Sequence, residues 1–334
     1  MPKASHLLIL LLSDFATFVV MELPKVLPVL LFVGSCWGRK TGLFPAPKDF
    51  FADRINGNLT KITWAHQANS KEELDAALND REIMMIEADV SLGEVDGNPG
   101  DTVPIMAHPP DTTSDLSLGD FLSQALETPI SGIKLDFKTI EAFKASLPIL
   151  KEYRDKMLVP IMLNADILPG PFSEDSRPVD ADEFLQGAKK HFPKSTLSVG
   201  WTTKYGITAL QFTGSYTKDQ IENMIVTLKR NRISQPITYP VRAALAADDI
   251  DVIKDLMKRT KNYHPTLTIW SPLGDFVDRD ELSALIKDVG VDRTYVDVPK
   301  IIERDLSLGS SPSRFSFSKL FSSIINEIVL ILPF

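Results

Sequence analysis

An α/β fold, a single (β/α)8 barrel, is predicted for the centre of this 334-residue chain. Three observations predict it. Between residues 62 and 299, short β-rich runs alternate with helical stretches, over a length of about 240 residues that suits one barrel. Most of the runs are apolar across both faces, as strands buried in a parallel sheet are. In one run after another, polar residues stand at the C-terminal end, where barrels of this kind carry their sites.

Taken in order, the first run is Ile62–His66, followed by a helix over Ser70–Asn79 that opens with a capping box, Ser70-x-x-Glu73. The second run is Ile83–Val90. Behind it, Gly93–Gly100 and Val103–His108 read as a β-hairpin inserted after strand two, and Leu118–Glu127 as a helix. Ile133–Phe137 leads into Ile140–Tyr153, interrupted by Pro148. Leu158–Asp166 precedes the helix Ala181–His191, and Thr196–Trp201 precedes Thr217–Asn231. Pro236–Arg242, Asp248–Lys261, Leu267–Ser271, Asp278–Val289 and Thr294–Val298 complete the alternation. The barrel is therefore expected over 60–300.

The ends read differently. In residues 1–38, Lys25 precedes the apolar run Val26–Val33, and small residues follow at Gly34, Ser35 and Gly38, the order of a signal peptide. Secretion or delivery to a lumen is expected, with a membrane anchor by this leader as the alternative. Residues 301–334 pass from a Ser-rich linker to an apolar tail from Ile324. This resembles a GPI signal except for Glu327 inside the tail. Asn58-Leu59-Thr60 is a glycosylation sequon that makes Asn58 a candidate acceptor. Lys and Arg total 36 against 44 Asp and Glu, a net charge of −8, which argues against a nucleic-acid partner. The single cysteine, Cys36, excludes a disulfide framework and a Cys-based zinc site.

The candidate site lies at the strand ends. Glu87 and Asp89 are two apart on one strand and so share a face, and Asp136 and Lys138 repeat that spacing on the next. A carboxylate after Met84-Met85-Ile86 is costly unless it is paired or holds a metal. Three converging carboxylates suit a hard divalent cation, Mg2+ with Ca2+ possible, leaving positions open for water and a substrate phosphate. Lys138 would neutralise the cluster or hold a substrate oxygen. His66 and His108 flank the cluster and suit the acid and base of a phosphodiester cleavage. Asn164, Asp166 and Arg242 end later strands, and Trp201 and Trp270 could line an organic substrate at the mouth.

These residues lie in stretches that resemble the menorin family: Trp64-Ala-His-Gln-Ala-Asn-Ser70, Met85-Ile-Glu-Ala-Asp-Val90, Pro104–Pro110, Gly132-Ile-Lys-Leu-Asp-Phe-Lys138, Asn164–Pro171, Gly200–Thr203, Pro240–Ala244 and Leu267–Trp270. The resemblance spans about residues 60–299. Menorin domains are similar in turn to the phospholipase C-like phosphodiesterases, barrels that include the glycerophosphodiester phosphodiesterases. That likeness implies a metal held by Glu87, Asp89 and Asp136, with His66 and His108 as the acid–base pair. In one place the chain departs from it. Glycerophosphodiesterases follow the first His with Arg-Gly, where this chain has Gln67-Ala68, and Arg242 is the candidate to replace the missing cation.

Two functions are therefore expected. One is a secreted or lumenal metal-dependent phosphodiesterase acting on a phospholipid head group or small phosphodiester. The other, implied by the menorin resemblance, is a non-catalytic extracellular ligand in cell-surface adhesion complexes, as in neuronal development.

Overall fold

The computed structural model of the chain describes residues 43–308 apart from 97, 128–129, 174–175 and 207–209. The leader, Cys36 and the tail beyond 308 lie outside the described residues. Two short helices, α1 (Pro47–Phe50) and α2 (Ala52–Ile55), and a 3-10 turn at Leu59–Lys61 precede the first strand. Then follow β1 (Trp64–Ala65), α3 (Lys71–Asn79), β2 (Met85–Val95), β3 (Asn98–Met106), β4 (Thr113–Ser114), α4 (Leu118–Ala125), β5 (Gly132–Phe137) and α5 (Ile140–Tyr153). The second half alternates β6 (Ile161–Pro169), α6 (Ala181–His191), β7 (Thr196–Thr202), α7 (Lys218–Arg230), β8 (Ile237–Arg242), α8 (Ala243–Asp248) and α9 (Ile250–Arg259). It closes with β9 (Thr266–Trp270), α10 (Arg279–Val289), β10 (Thr294–Asp297) and α11 (Lys300–Glu303).

Eight strands pair in parallel in the order β1-β2-β5-β6-β7-β8-β9-β10, a nearly closed barrel. Strand β2 runs on past the barrel wall and pairs antiparallel with β3 from Val90↔Met106 to Val95↔Asn98. No backbone ladder joins β10 to β1 among the described strands. Side chains span that seam instead. His66 Nδ1 lies 2.8 Å from Asp297 Oδ2, and the rings of Trp64 and Tyr295 meet edge to face at 6.1 Å.

The apolar residues form two groups. The larger fills the layer between the barrel and its helices, with Phe137, Phe143 and Phe184 in mutual contact. The smaller gathers Phe51, Ile55, Leu59 and Ile62 against Met85, Met162 and Tyr295 at the N-terminal ends of the strands. The lead-in helices therefore plug the floor, and chemistry is left to the opposite end.

Some elements differ from expectation for local reasons. The first strand is only Trp64–Ala65, because Ile62 closes the 3-10 turn. The helix expected over Asp248–Lys261 forms as α9, capped by Asp249, whose carboxylate accepts from the amides of Asp251 and Val252, but a further short helix not expected from the sequence precedes it. The preceding Ala243-Ala-Leu-Ala-Ala-Asp248 is the helix α8. Helix α5 continues through Pro148, which is exposed, so water can take the bond that proline cannot donate. The capping box at Ser70 is formed in both directions, with Ser70 Oγ accepting from the Glu73 amide at 3.2 Å and Glu73 Oε2 accepting from the Ser70 amide at 3.0 Å. Ser70→Ala is expected to cost about 1 kcal/mol in thermal or urea unfolding.

Candidate active site

Register builds the site. Parallel pairing sets Glu87 opposite Lys134, Asp89 opposite Asp136, Asp136 opposite Asn164 and Asn164 opposite Ser198. Residues paired in this way share a face, so alternation within each strand turns the whole series into the barrel lumen. A belt of hydrogen bonds results. Asn69 Nδ2 donates to Asp89 Oδ2 at 2.9 Å, and the Asp89 amide donates back to Asn69 Oδ1 at 2.8 Å. Lys138 Nζ lies 2.6 Å from both Asp89 Oδ1 and Asp136 Oδ2. Asn164 donates to Asp136 Oδ1 at 2.5 Å and accepts from Ser198 Oγ at 2.5 Å. Thr238 and Thr268, hydrogen-bonded to each other at 2.8 Å, continue the lumen wall with small groups.

Glu87 sits deeper, 2% exposed. Its Oε2 accepts from the Gln67 amide at 2.8 Å and its Oε1 lies 4.0 Å from Lys134 Nζ. Gln67 adopts a left-handed backbone, φ 58°, a conformation a non-glycine residue rarely holds without support, and here it brings the amide onto Glu87. Burial raises the Glu87 carboxyl above its usual range, with Lys134 opposing. Lys134 itself is buried, and although burial would lower its pKa, Glu87 and Asp136 raise it. Burial would also raise Asp136, but Lys138 and Lys134 outweigh it and hold that carboxyl at about 2. Asp166, two residues further toward the mouth than Asn164, is pushed up to about 7 by burial and then by the Asp136 charge.

His66 stands on the rim with an exposed edge. Partial burial alone would lower its pKa, but the Glu87 and Asp297 carboxylates, with the Asp297 hydrogen bond, raise it to about 9. His108 is brought to the same end of the barrel by β3. Its ring is exposed, with Nδ1 2.6 Å from the Pro109 carbonyl, and no hydrogen bond joins it to the carboxylates among the described residues.

Of the residues expected at the substrate mouth, Trp201 is placed elsewhere and Arg242 is engaged by partners within the protein. Trp201 is 2% exposed, packs on Tyr216 and Tyr239 at 5.3 and 6.3 Å, and donates its indole N–H to the Gln220 carbonyl of α7. It belongs to the barrel–helix layer, because it lies an odd number of residues from the lumen-facing Ser198. Arg242 does reach the mouth, but its guanidinium is held by Asp275 through two bonds of 2.7 Å and stacks between Tyr205 and Trp270, each 5.4 Å away. Its charge is paired inside the protein, so it does not replace the missing phosphate-gripping arginine. Trp270 remains half-exposed beside it. Asn58 lies below the floor, where its Oδ1 accepts from the Thr60 amide and hydroxyl at 3.0 and 2.7 Å.

Sequence reasoning missed Lys134, Asn69 and Asp275. Lys134 carried a legible signal, since it is two residues before Asp136 and so on the same face. Asn69 and Asp275 lie in loops, where no periodicity marks a side chain's direction.

The donor set fits a hard cation. One carboxylate oxygen from each of Glu87, Asp89 and Asp136 lies within 4.8 Å of the others, and all three are oxygen ligands with little exposed surface. Lys138, lodged between two of them, is the cation that such an ion would displace or share with.

Residues 58–303 match the family described as the Menorin N-terminal domain. The human protein FAM151B is 38% identical over 222 residues, covering 66% of this chain and 76% of that one. Among solved structures, one of two fungal β-1,4-galactanases aligns at 10% identity and TM-score 0.44, over 72% of this chain and 89% of the other. A GH53 catalytic domain from Ignisphaera aggregans aligns at 13% identity and TM-score 0.40, over 72% and 85%. These structural likenesses are too loose to bear on function.

Proposed function

The chain belongs to the menorin family, and from that premise we propose that its barrel carries a metal-dependent phosphodiesterase-type site of the phospholipase C-like kind. The substrate would be a phospholipid head group or another small phosphodiester, and the protein would act in the secreted or lumenal space, with Asn58 available as a glycan acceptor. The observation that carries this reading is the convergence of Glu87, Asp89 and Asp136 in the lumen beside His66.

In this reading Glu87, Asp89 and Asp136 hold Mg2+ or Ca2+, which when bound would polarise a phosphoryl oxygen. Lys138 turns from its carboxylate partners to a substrate oxygen. The attacking hydroxyl, from water or from the substrate, forms a new P–O bond as the bond to the leaving oxygen breaks. One histidine of the pair His66 and His108 takes the proton of the attacking hydroxyl, and the other supplies a proton to the leaving alkoxide. The bond to Asp297 fixes the His66 ring through Nδ1 and leaves Nε2 for that transfer. Asn164 orients Asp136, while Asp166 and Trp270 line the approach.

The test is calorimetry with Mg2+ and Ca2+, alongside a screen of glycerophosphodiesters and lysophospholipids. Asp89→Asn, which removes a ligand charge, is expected to weaken binding by at least the roughly 10–100-fold that loss of an outer-shell partner costs. If the wild-type chain binds neither ion, the metal site does not exist. A second reading, a non-catalytic ligand of extracellular adhesion proteins, rests on His108, whose ring engages its own loop and not the cluster. Metal binding without turnover of any diester would favour it.

A further inference from the structure

Large apolar side chains crowd one side of the barrel mouth. Of the eight that are exposed among the described residues, four stand on the loops after β6, β7 and β9: Phe172, Leu210, Leu273 and Phe276. Leu210 and Leu273 are 79% and 84% exposed at loop tips, where scattered surface leucines would not be expected to gather.

These loops are braced against one another. The Tyr205 hydroxyl lies 2.8 and 3.0 Å from the carbonyls of Phe212 and Phe276 and shares its one proton between them, and the Phe212 and Phe276 rings meet at 5.6 Å. The Lys204 amide donates to the Pro171 carbonyl, and the Phe172 ring lies against Gly214. Arg242 stacks on Tyr205 while gripping Asp275. The residue expected to bind phosphate thus braces the loops that carry the exposed apolar side chains.

The charges fit one kind of occupant. Beside Leu210 and Leu273 the acidic groups are turned inward, Asp275 to Arg242 and Asp248 to the Gly214 amide at 2.7 Å. Lys204, exposed on the same loop, has no ion pair among the described residues. In the loops 203–213 and 271–277 the sequence carries no charge besides Lys204 and the paired Asp275, and apolar tips with that one lysine match a zwitterionic lipid surface, where the tips enter the acyl boundary and the ammonium meets head-group phosphate. We propose that this face docks on a phospholipid surface through Leu210, Leu273 and Phe276, with the polar mouth turned to the head groups. The docking draws on the phosphodiesterase reading only for what the mouth would do there.

The experiment uses the full chain with phosphatidylcholine vesicles, read by co-sedimentation and by hydrogen exchange of the 271–277 loop. Vesicles are expected to protect that loop. Leu273→Ser/Phe276→Ser is expected to retain its melting temperature and to lose about tenfold or more in vesicle partitioning. Sedimentation without loop protection would place binding in the chain ends and overturn the proposal. So would loop protection that rises with protein concentration in the absence of vesicles, which marks a second copy, or binding that requires anionic lipid. Turnover of a soluble diester, measured on the same variant, separates the two readings. Its absence in wild type sinks the phosphodiesterase and leaves the vesicle result to decide the docking.

Discussion

His66→Ala lowers turnover of a small phosphodiester by about 10²–10⁴-fold, the usual contribution of a positioned acid or base. The same change also removes the 2.8 Å bond to Asp297 across the β1–β10 seam, so lost activity alone would not distinguish chemistry from closure of the barrel. His66→Asn makes the distinction. Its side-chain amide can still donate to Asp297 but cannot carry a proton between substrate atoms. If both variants lose activity equally while His66→Asn melts near wild type, the ring acts in chemistry. If His66→Asn restores turnover, His66 is a seam residue and the proposed role fails. His108→Ala, measured beside them, completes the pair, and activity that survives both alanine changes overturns the acid–base assignment.

Lys134→Met destabilises the fold by about 3–5 kcal/mol, because it leaves the buried Glu87 carboxylate without the buried cation that faces it. Thermal unfolding should fall by roughly 5–15 °C. Glu87→Gln added to Lys134→Met should recover most of the loss, since the pair is then replaced by neutral groups of similar volume. A single variant as stable as wild type would show that Glu87 is balanced by His66 and the Gln67 amide alone.

Much of the barrel was legible because strand and helix patterns are local. The capping box at Ser70 is a four-residue motif, and it forms as read. The same locality places Glu87 with Asp89, and Asp136 with Lys138, on shared faces. For Trp201 the mark was present but overlooked: it shares parity with Leu197 and Val199, while Thr196, Ser198, Gly200 and Thr202 take the other face. Locality failed for Arg242 because Asp275 lies 33 residues on, in a loop without periodicity. His108 shows the limit of order along the chain: β3 carries it to the right end of the barrel, but its own loop decides where the ring points.

The sequence by itself determined the order of elements, the faces shared within each strand, and hence which acidic residues could meet. The tertiary structure alone decided the partners. Parallel register put Lys134 beside Glu87 and Asn164 beside Asp136, and closure of the barrel brought His66 to Asp297, 231 residues away. The reason is physical. Side-chain alternation is set by covalent geometry one residue at a time, whereas register and closure are set by packing the whole sheet around its core.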